Sequence, residues 1–217
     1  MEESLLRELV KDIYRAGAFK TGDFRLTSGG LSPYYVDLRT LVSRPRLFER
    51  LVDSYIGRMR MIGEGFDVVA GVETAGIPIA TLISFKTGLP MVYVRSGERM
   101  HGTGRLVEGE LEAGSRVVVV DDVLTTGGSI MGAVKSVSAS GGRVVYALVF
   151  LDRLQNGAKR LSEAGVTAYS VVRIDCFLKI LREDKLISEL EYERIMKYLE
   201  GFRNVEEQGS DRLNRVH

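Results

Sequence analysis

The chain has 217 residues, long enough to bury a sizeable core as one domain with a small appendage. Its 30 basic and 29 acidic residues leave a formal charge of +1, which excludes sequence-independent nucleic-acid binding through a basic surface. One cysteine, Cys176, excludes an intramolecular disulfide, and an acidic start without any apolar run of membrane-spanning length predicts a soluble, cytoplasmic protein.

Ser4 can cap a first helix whose Leu5, Leu6, Leu9, Val10, Ile13 and Tyr14 share a face, with Gly17 ending it. Phe24 to Arg39 is rich in Ser, Gly, Pro and Tyr and reads as loop and short strand. Pro45 suits the first turn of a second helix running to about Ile62. The pattern then alternates: strand Phe66 to Ala70, helix Ile77 to Thr87, strands Met91 to Val94 and Arg116 to Val120, helix Ser129 to Ser140, strand Arg143 to Leu151, helix Gly157 to Ala164 and strand Ala168 to Val172. Such alternation with short connections predicts an α/β fold, a mostly parallel twisted sheet flanked by helices. Helices at Cys176 to Glu183 and Ser188 to Leu199 close the core, with Cys176 expected as a small buried hydrophobe. Residues 1–202 are expected to form one domain, and the polar tail Arg203 to His217 to be disordered. Arg95 to Gly114, with five glycines and several charges, is too long for an ordinary connection in a compact domain and reads as a lid.

The most informative segment is Val117 to Ser129. Four valines form a strand buried on both faces, Asp121 and Asp122 follow, and Thr125-Thr-Gly-Gly-Ser129 opens a helix. The loop offers hydroxyls and backbone N–H groups to a phosphate at the positive end of a helix, with Gly127 and Gly128 permitting close approach. A bare phosphate would be repelled by the adjacent acids. They suit vicinal sugar hydroxyls or a magnesium ion carried by the phosphates. A P-loop is excluded because no Gly-Lys-Ser/Thr occurs, and Gly102-Thr-Gly104 lacks the third glycine of a dinucleotide fingerprint. With only His101, His217 and Cys176 available, protein-bound zinc is not expected.

This segment resembles the phosphoribosyl pyrophosphate (PRPP) signature of the type I phosphoribosyltransferases. Three further segments narrow the resemblance to the orotate phosphoribosyltransferase family. Phe24-Arg-Leu-Thr-Ser-Gly29 with Ser32-Pro-Tyr-Tyr-Val-Asp-Leu-Arg39, followed by Val42-Ser-Arg-Pro-Arg-Leu47, is similar to its amino-terminal orotate-side motif. Arg95-Ser-Gly-Glu-Arg-Met-His-Gly102 with Gly104-Arg-Leu-Val-Glu-Gly109 is similar to its mobile catalytic loop, and Leu151-Asp-Arg153 ends the next strand as in that family.

The resemblance implies a type I phosphoribosyltransferase fold with residues 1–40 contributing a small N-terminal hood. It implies that Asp121 and Asp122 contact the ribose hydroxyls of PRPP, directly or through magnesium-bound water, and that Val123, Leu124, Thr125, Thr126, Gly127, Gly128 and Ser129 wrap its 5′-phosphate. Arg95, Arg99 and His101 take pyrophosphate-binding and catalytic positions, and Thr125, Arg153, Tyr35 and Val36 take orotate. The guanidinium fork of Arg153 suits a planar carboxylic acid on chemical grounds. Its other reading is a surface salt bridge to Asp152 or Glu163, and Tyr34 and Tyr35 can also be read as half-buried aromatics. The expected cofactor is Mg2+, and the expected partners are orotate, PRPP and a second copy whose 95–110 loop enters the neighbouring site. Other outcomes are a type I transferase for another nucleobase or a non-catalytic PRPP sensor. The chain departs from the family at Ser96, Ala75 and Thr27, where many members carry lysines, while Arg99 replaces a further lysine and keeps its charge.

Overall fold

The computed structural model describes residues 3–25, 29–63, 65–97 and 106–213, with side chains to Phe202. α1 (Glu3–Arg15) buries Leu9, Val10 and Ile13, and the chain reverses at Gly17, whose φ of +75° lies in the region that favours glycine. An antiparallel hairpin follows, β1 (Phe19–Arg25) and β2 (Leu31–Val36), with a register shift between Thr21 and Phe24. After a 3-10 turn at Leu38–Ser43, α2 (Pro45–Ile62) begins with proline in its first turn and ends at Gly63 with φ +71°.

The main sheet holds β3 (Val68–Val72), β4 (Met91–Val94), β5 (Val107–Glu108), β6 (Arg116–Leu124), β7 (Arg143–Asp152) and β8 (Thr167–Arg173), in the order β5-β4-β3-β6-β7-β8. Every described pairing is parallel except β4 with β5. Helices α3 (Gly76–Thr87), α4 (Gly128–Ala139) and α5 (Gly157–Glu163) alternate with the strands, as an alternating sequence requires. Buried residues fall into two clusters. One contains Val69, Val118, Val120 and Leu148 with α1, α2 and residues of the later segment Ile174–Leu181, and the other contains Ala70, Val117, Val119 and Val149 with α4. Successive valines of β6 therefore alternate between faces, which explains the uninterrupted apolar run.

α6 (Ile174–Glu183) begins before Cys176, and its buried stripe is Ile174, Phe177, Leu178 and Leu181. Cys176 falls off that stripe and is exposed, so the expected buried cysteine is corrected by helical phase. α7 (Glu189–Leu213) runs beyond the expected end at Leu199; residues 214–217 lie outside the described residues. The long connection after β4 also contains structure, since β5 adds an edge strand at Val107–Glu108. Among the described residues no helix is long and apolar enough to cross a membrane.

Candidate active site

The site lies at the carboxyl ends of β3 and β6, where neighbouring strands lead away in opposite directions; open α/β sheets leave a crevice at such a point. Pairing of β3 with β6 stops at Gly71↔Val120, whereas β6 continues beside β7 through Leu124↔Asp152. Asp121 and Asp122 therefore lie inside the strand, past the expected end at Val120, with one strand edge open. Tyr55 of α2 donates its hydroxyl to the Asp121 carbonyl at 2.7 Å, giving this buried backbone oxygen a partner. Asp121 is 8 % exposed, and its carboxylate accepts the Asp122 N–H at 2.9 Å. Burial, then the neighbouring carboxylate, pushes the Asp121 carboxyl well above its ordinary value; burial also raises Asp122, opposed in part by nearby Arg39. Such groups gain from hydroxyl donors or a cation.

Beyond the acids the chain folds around a cavity of 110 Å³ lined by Asp121 and Val123 to Ile130. Gly127 has φ +80°, and α4 begins at Gly128 without a side-chain cap. The first amides of that helix consequently point toward the crevice with the dipole behind them. An added Cβ at Gly128 would meet nothing within 4 Å, leaving open approach. Gly157 carries the opposite constraint: a Cβ there would lie 2.4 Å from the Thr125 carbonyl oxygen. The start of α5 is thus the floor under the Thr125 to Ser129 loop.

A second wall is the turn Gly71 to Gly76, which contains a cis peptide between Glu73 and Thr74. Its glycines allow backbone contact, because a Cβ at Gly76 would lie 2.4 Å from Val120 O and one at Gly71 2.6 Å from Gly76 O. A 330 Å³ cavity joins this turn to the start of α4, lined by residues including Glu73, Arg95, Ser96, Gly128 and Ser129. Glu73 accepts both the N–H of Ser96, at 2.6 Å, and its hydroxyl, at 2.9 Å. These bonds hold its carboxyl below the usual value and tie Ser96, just after β4, to the turn. Arg95 donates its N–H to Leu106 O at 2.9 Å and pairs with Glu108 at 3.6 Å. Arg99 and His101, the other expected lid residues, and Thr27 lie outside the described residues.

On the other side of the acids, Arg153 follows β7. Its N–H donates to Leu124 O at 3.0 Å, and its Nε donates to the Tyr34 hydroxyl at 2.9 Å. Its guanidinium carbon lies 4.6 Å from the centre of the Tyr34 ring. This arrangement replaces the alternative of a salt bridge to Asp152 or Glu163. The two tyrosines separate cleanly: Tyr34 is fully buried, while Tyr35 is 39 % exposed and packs beside Phe24. Val36 ends β2, and Thr125 is half-buried in the loop. Arg153 thus joins β2, through Tyr34, to Leu124 at the start of the Thr125 to Ser129 loop. Sequence reasoning did not single out Tyr55, Gly157 or the Glu73 contact with Ser96, each of which acts across a long stretch of chain.

A family model described as phosphoribosyl transferase domain matches residues 43–170. The chain is 44% identical over 197 residues to an orotate phosphoribosyltransferase of Staphylothermus marinus, spanning 91% of this chain and 96% of that protein. Another from Pyrobaculum aerophilum is 44% identical over 196 residues, with 90% and 100% covered. Among solved structures, an orotate phosphoribosyltransferase from Aeropyrum pernix superposes with a TM-score of 0.70 at 34% identity, covering 80% of this chain and 98% of that one. A Leishmania donovani UMP synthase gives a TM-score of 0.82 at 30% identity, covering 92% of this chain and 43% of that one.

Proposed function

The chain belongs to the phosphoribosyltransferase family, and from that premise we propose that it transfers the 5-phosphoribosyl group of PRPP to N1 of orotate. The products are orotidine 5′-monophosphate and pyrophosphate, a step of pyrimidine biosynthesis carried out in the cytoplasm. The observation that carries the reading is a cavity lined by the buried Asp121 and an uncapped helix start, with Arg153 tied by its N–H to Leu124 of the same loop.

The 5′-phosphate sits on Thr125 to Ser129, held by helix amides and hydroxyls. Asp121 and Asp122 accept hydrogen bonds from the ribose hydroxyls. Pyrophosphate lies toward the 73–76 turn and Arg95, with Arg99 and His101 of the lid stabilising the charge it gains as its bond to C1′ breaks. Arg153 and Thr125 hold orotate so that N1 faces C1′, and Tyr35 and Val36 cover the ring. Catalysis is positioning plus electrostatic stabilisation, with no covalent nucleophile.

Mg2+ fits this site as a companion of PRPP. Adjacent carboxylates, Asp121 buried and Asp122 half-buried, suit a cation, while among the described residues no three Asp, Glu, His or Cys side chains group to hold one alone. The ion would rest mainly on PRPP oxygens, with Asp121 and Asp122 reaching it through water, and would neutralise pyrophosphate charge. The enzyme acts as a homodimer in which the 95–110 loop of one copy serves the other's site. Support for association comes from α3, which carries apolar residues around its circumference and leaves Phe85 85 % exposed.

A base screen tests the reading. With Mg2+ and PRPP, orotate should be consumed with release of pyrophosphate, and uracil, hypoxanthine and adenine should not. Preferential turnover of any of those three would replace the assignment.

A further inference from the structure

Arg153 is not a free surface arginine. Its Nε is taken by the Tyr34 hydroxyl and its Cζ lies 4.6 Å from the centre of the Tyr34 ring, while among the described residues neither Nη group has a partner. The guanidinium is thereby held along one edge with two terminal nitrogens left for a carboxylate. A bidentate contact needs such fixed geometry, because an arginine free to rotate loses entropy on binding.

Tyr34 is itself held. It is fully buried, stacks on Phe19 with ring centroids 5.6 Å apart, and receives the edge of Tyr198 from α7 at 6.1 Å and 82°. Tyr198 packs on Phe202 at 5.2 Å. Phe202 O accepts a 3.5 Å contact from Asn156 Nδ2, three residues beyond Arg153. The hood strand, the C-terminal helix and the loop after β7 thus close a ring of contacts around the arginine.

We infer that Tyr34 is a positioning residue for recognition of the substrate carboxylate, and that α7 sets it through Tyr198. This rests on the reading that Arg153 binds the orotate carboxylate. Tyr34 touches no reacting atom. It acts by fixing which edge of the guanidinium faces the base pocket, so its influence is confined to substrates carrying the acid.

Tyr34→Phe keeps the ring and removes the hydroxyl, Tyr198→Leu removes the edge contact from α7, and Arg153→Ala is the reference. Steady-state constants are measured for orotate and PRPP, with thermal melting to establish folding. Tyr34→Phe should raise the KM for orotate about tenfold, as expected for a hydrogen bond to a charged group. The KM for PRPP should stay within about twofold, and Tyr198→Leu should move orotate the same way by less. In the Tyr34→Phe, Arg153→Ala double variant the effects should not add. If Arg153→Ala raises the KM for orotate while Tyr34→Phe leaves it unchanged, or raises both substrates' values together, the positioning role is overturned and the base site stands. If Arg153→Ala leaves orotate unaffected, the base site falls, and the inference with it.

Discussion

Gly157→Ala tests the packing under the phosphate loop. The new Cβ would lie 2.4 Å from Thr125 O and 2.6 Å from Leu124 Cδ1, whereas ordinary contact begins at 3.4 Å. The leucine can rotate, but the backbone carbonyl can be relieved only by moving the Thr125 segment by about 1 Å. Overpacking of this kind costs about 1–3 kcal/mol, or about 2–4 °C of melting temperature per kcal/mol in a chain of this size. Function should suffer more, since a displacement near 1 Å at a positioned group can cost on the order of 100-fold in rate. Gly128→Ala is the paired control, with nothing within 4 Å of its added Cβ. It should leave melting within about 0.5 kcal/mol and still weaken PRPP by filling the approach to the helix amides. Calorimetric titration with Mg-PRPP, alongside melting, reads both variants. Unchanged PRPP affinity in folded Gly157→Ala protein would refute the proposed coupling between α5 and the loop.

Other perturbations separate stability from chemistry. Burial raises the carboxyls of Asp121 and Asp122, so over the interval above their unfolded values the folded chain binds more protons than the unfolded one. Their contribution to stability is therefore lost as pH rises through that interval, and Asp121→Asn should stabilise the ligand-free protein at neutral pH by about 0.5–2 kcal/mol while depressing turnover. Melting across pH checks this, and a less stable variant at neutral pH contradicts it. Ser96→Lys exchanges the Glu73 contacts for a cation beside the 330 Å³ cavity and should lower the KM for PRPP by roughly threefold at low salt, an effect that added salt should erase. Phe85→Glu should shift sedimentation toward monomer and reduce activity with it; a fully active monomer would remove the shared-site arrangement.

Local chemistry made much of this molecule legible. The valine run of β6, the proline at the start of α2 and the glycines after Thr126 each act through neighbours in sequence, so the strand, the start of α2 and the glycine turn into α4 could be read directly. β1 was hidden because Lys20, Thr21 and Asp23 are polar and Gly22 sits in a register break. The end of β6 was misplaced because two carboxylates look like a loop until β7 is known to run beside them. The Tyr34 contact with Arg153 spans 119 positions, and the Glu73 contact with Ser96 spans 23. Side-chain type predicts a need for a partner without saying which one. Cys176 shows a related limit, since residue type suggested burial while the stripe of Ile174, Phe177, Leu178 and Leu181 leaves position 176 on the exposed face.

The most direct measurement is a crystal structure with PRPP and Mg2+. The account predicts the 5′-phosphate on the Thr125 to Ser129 amides and the ribose hydroxyls against Asp121 and Asp122. An empty crevice at saturating ligand, or PRPP bound elsewhere on the chain, would contradict it.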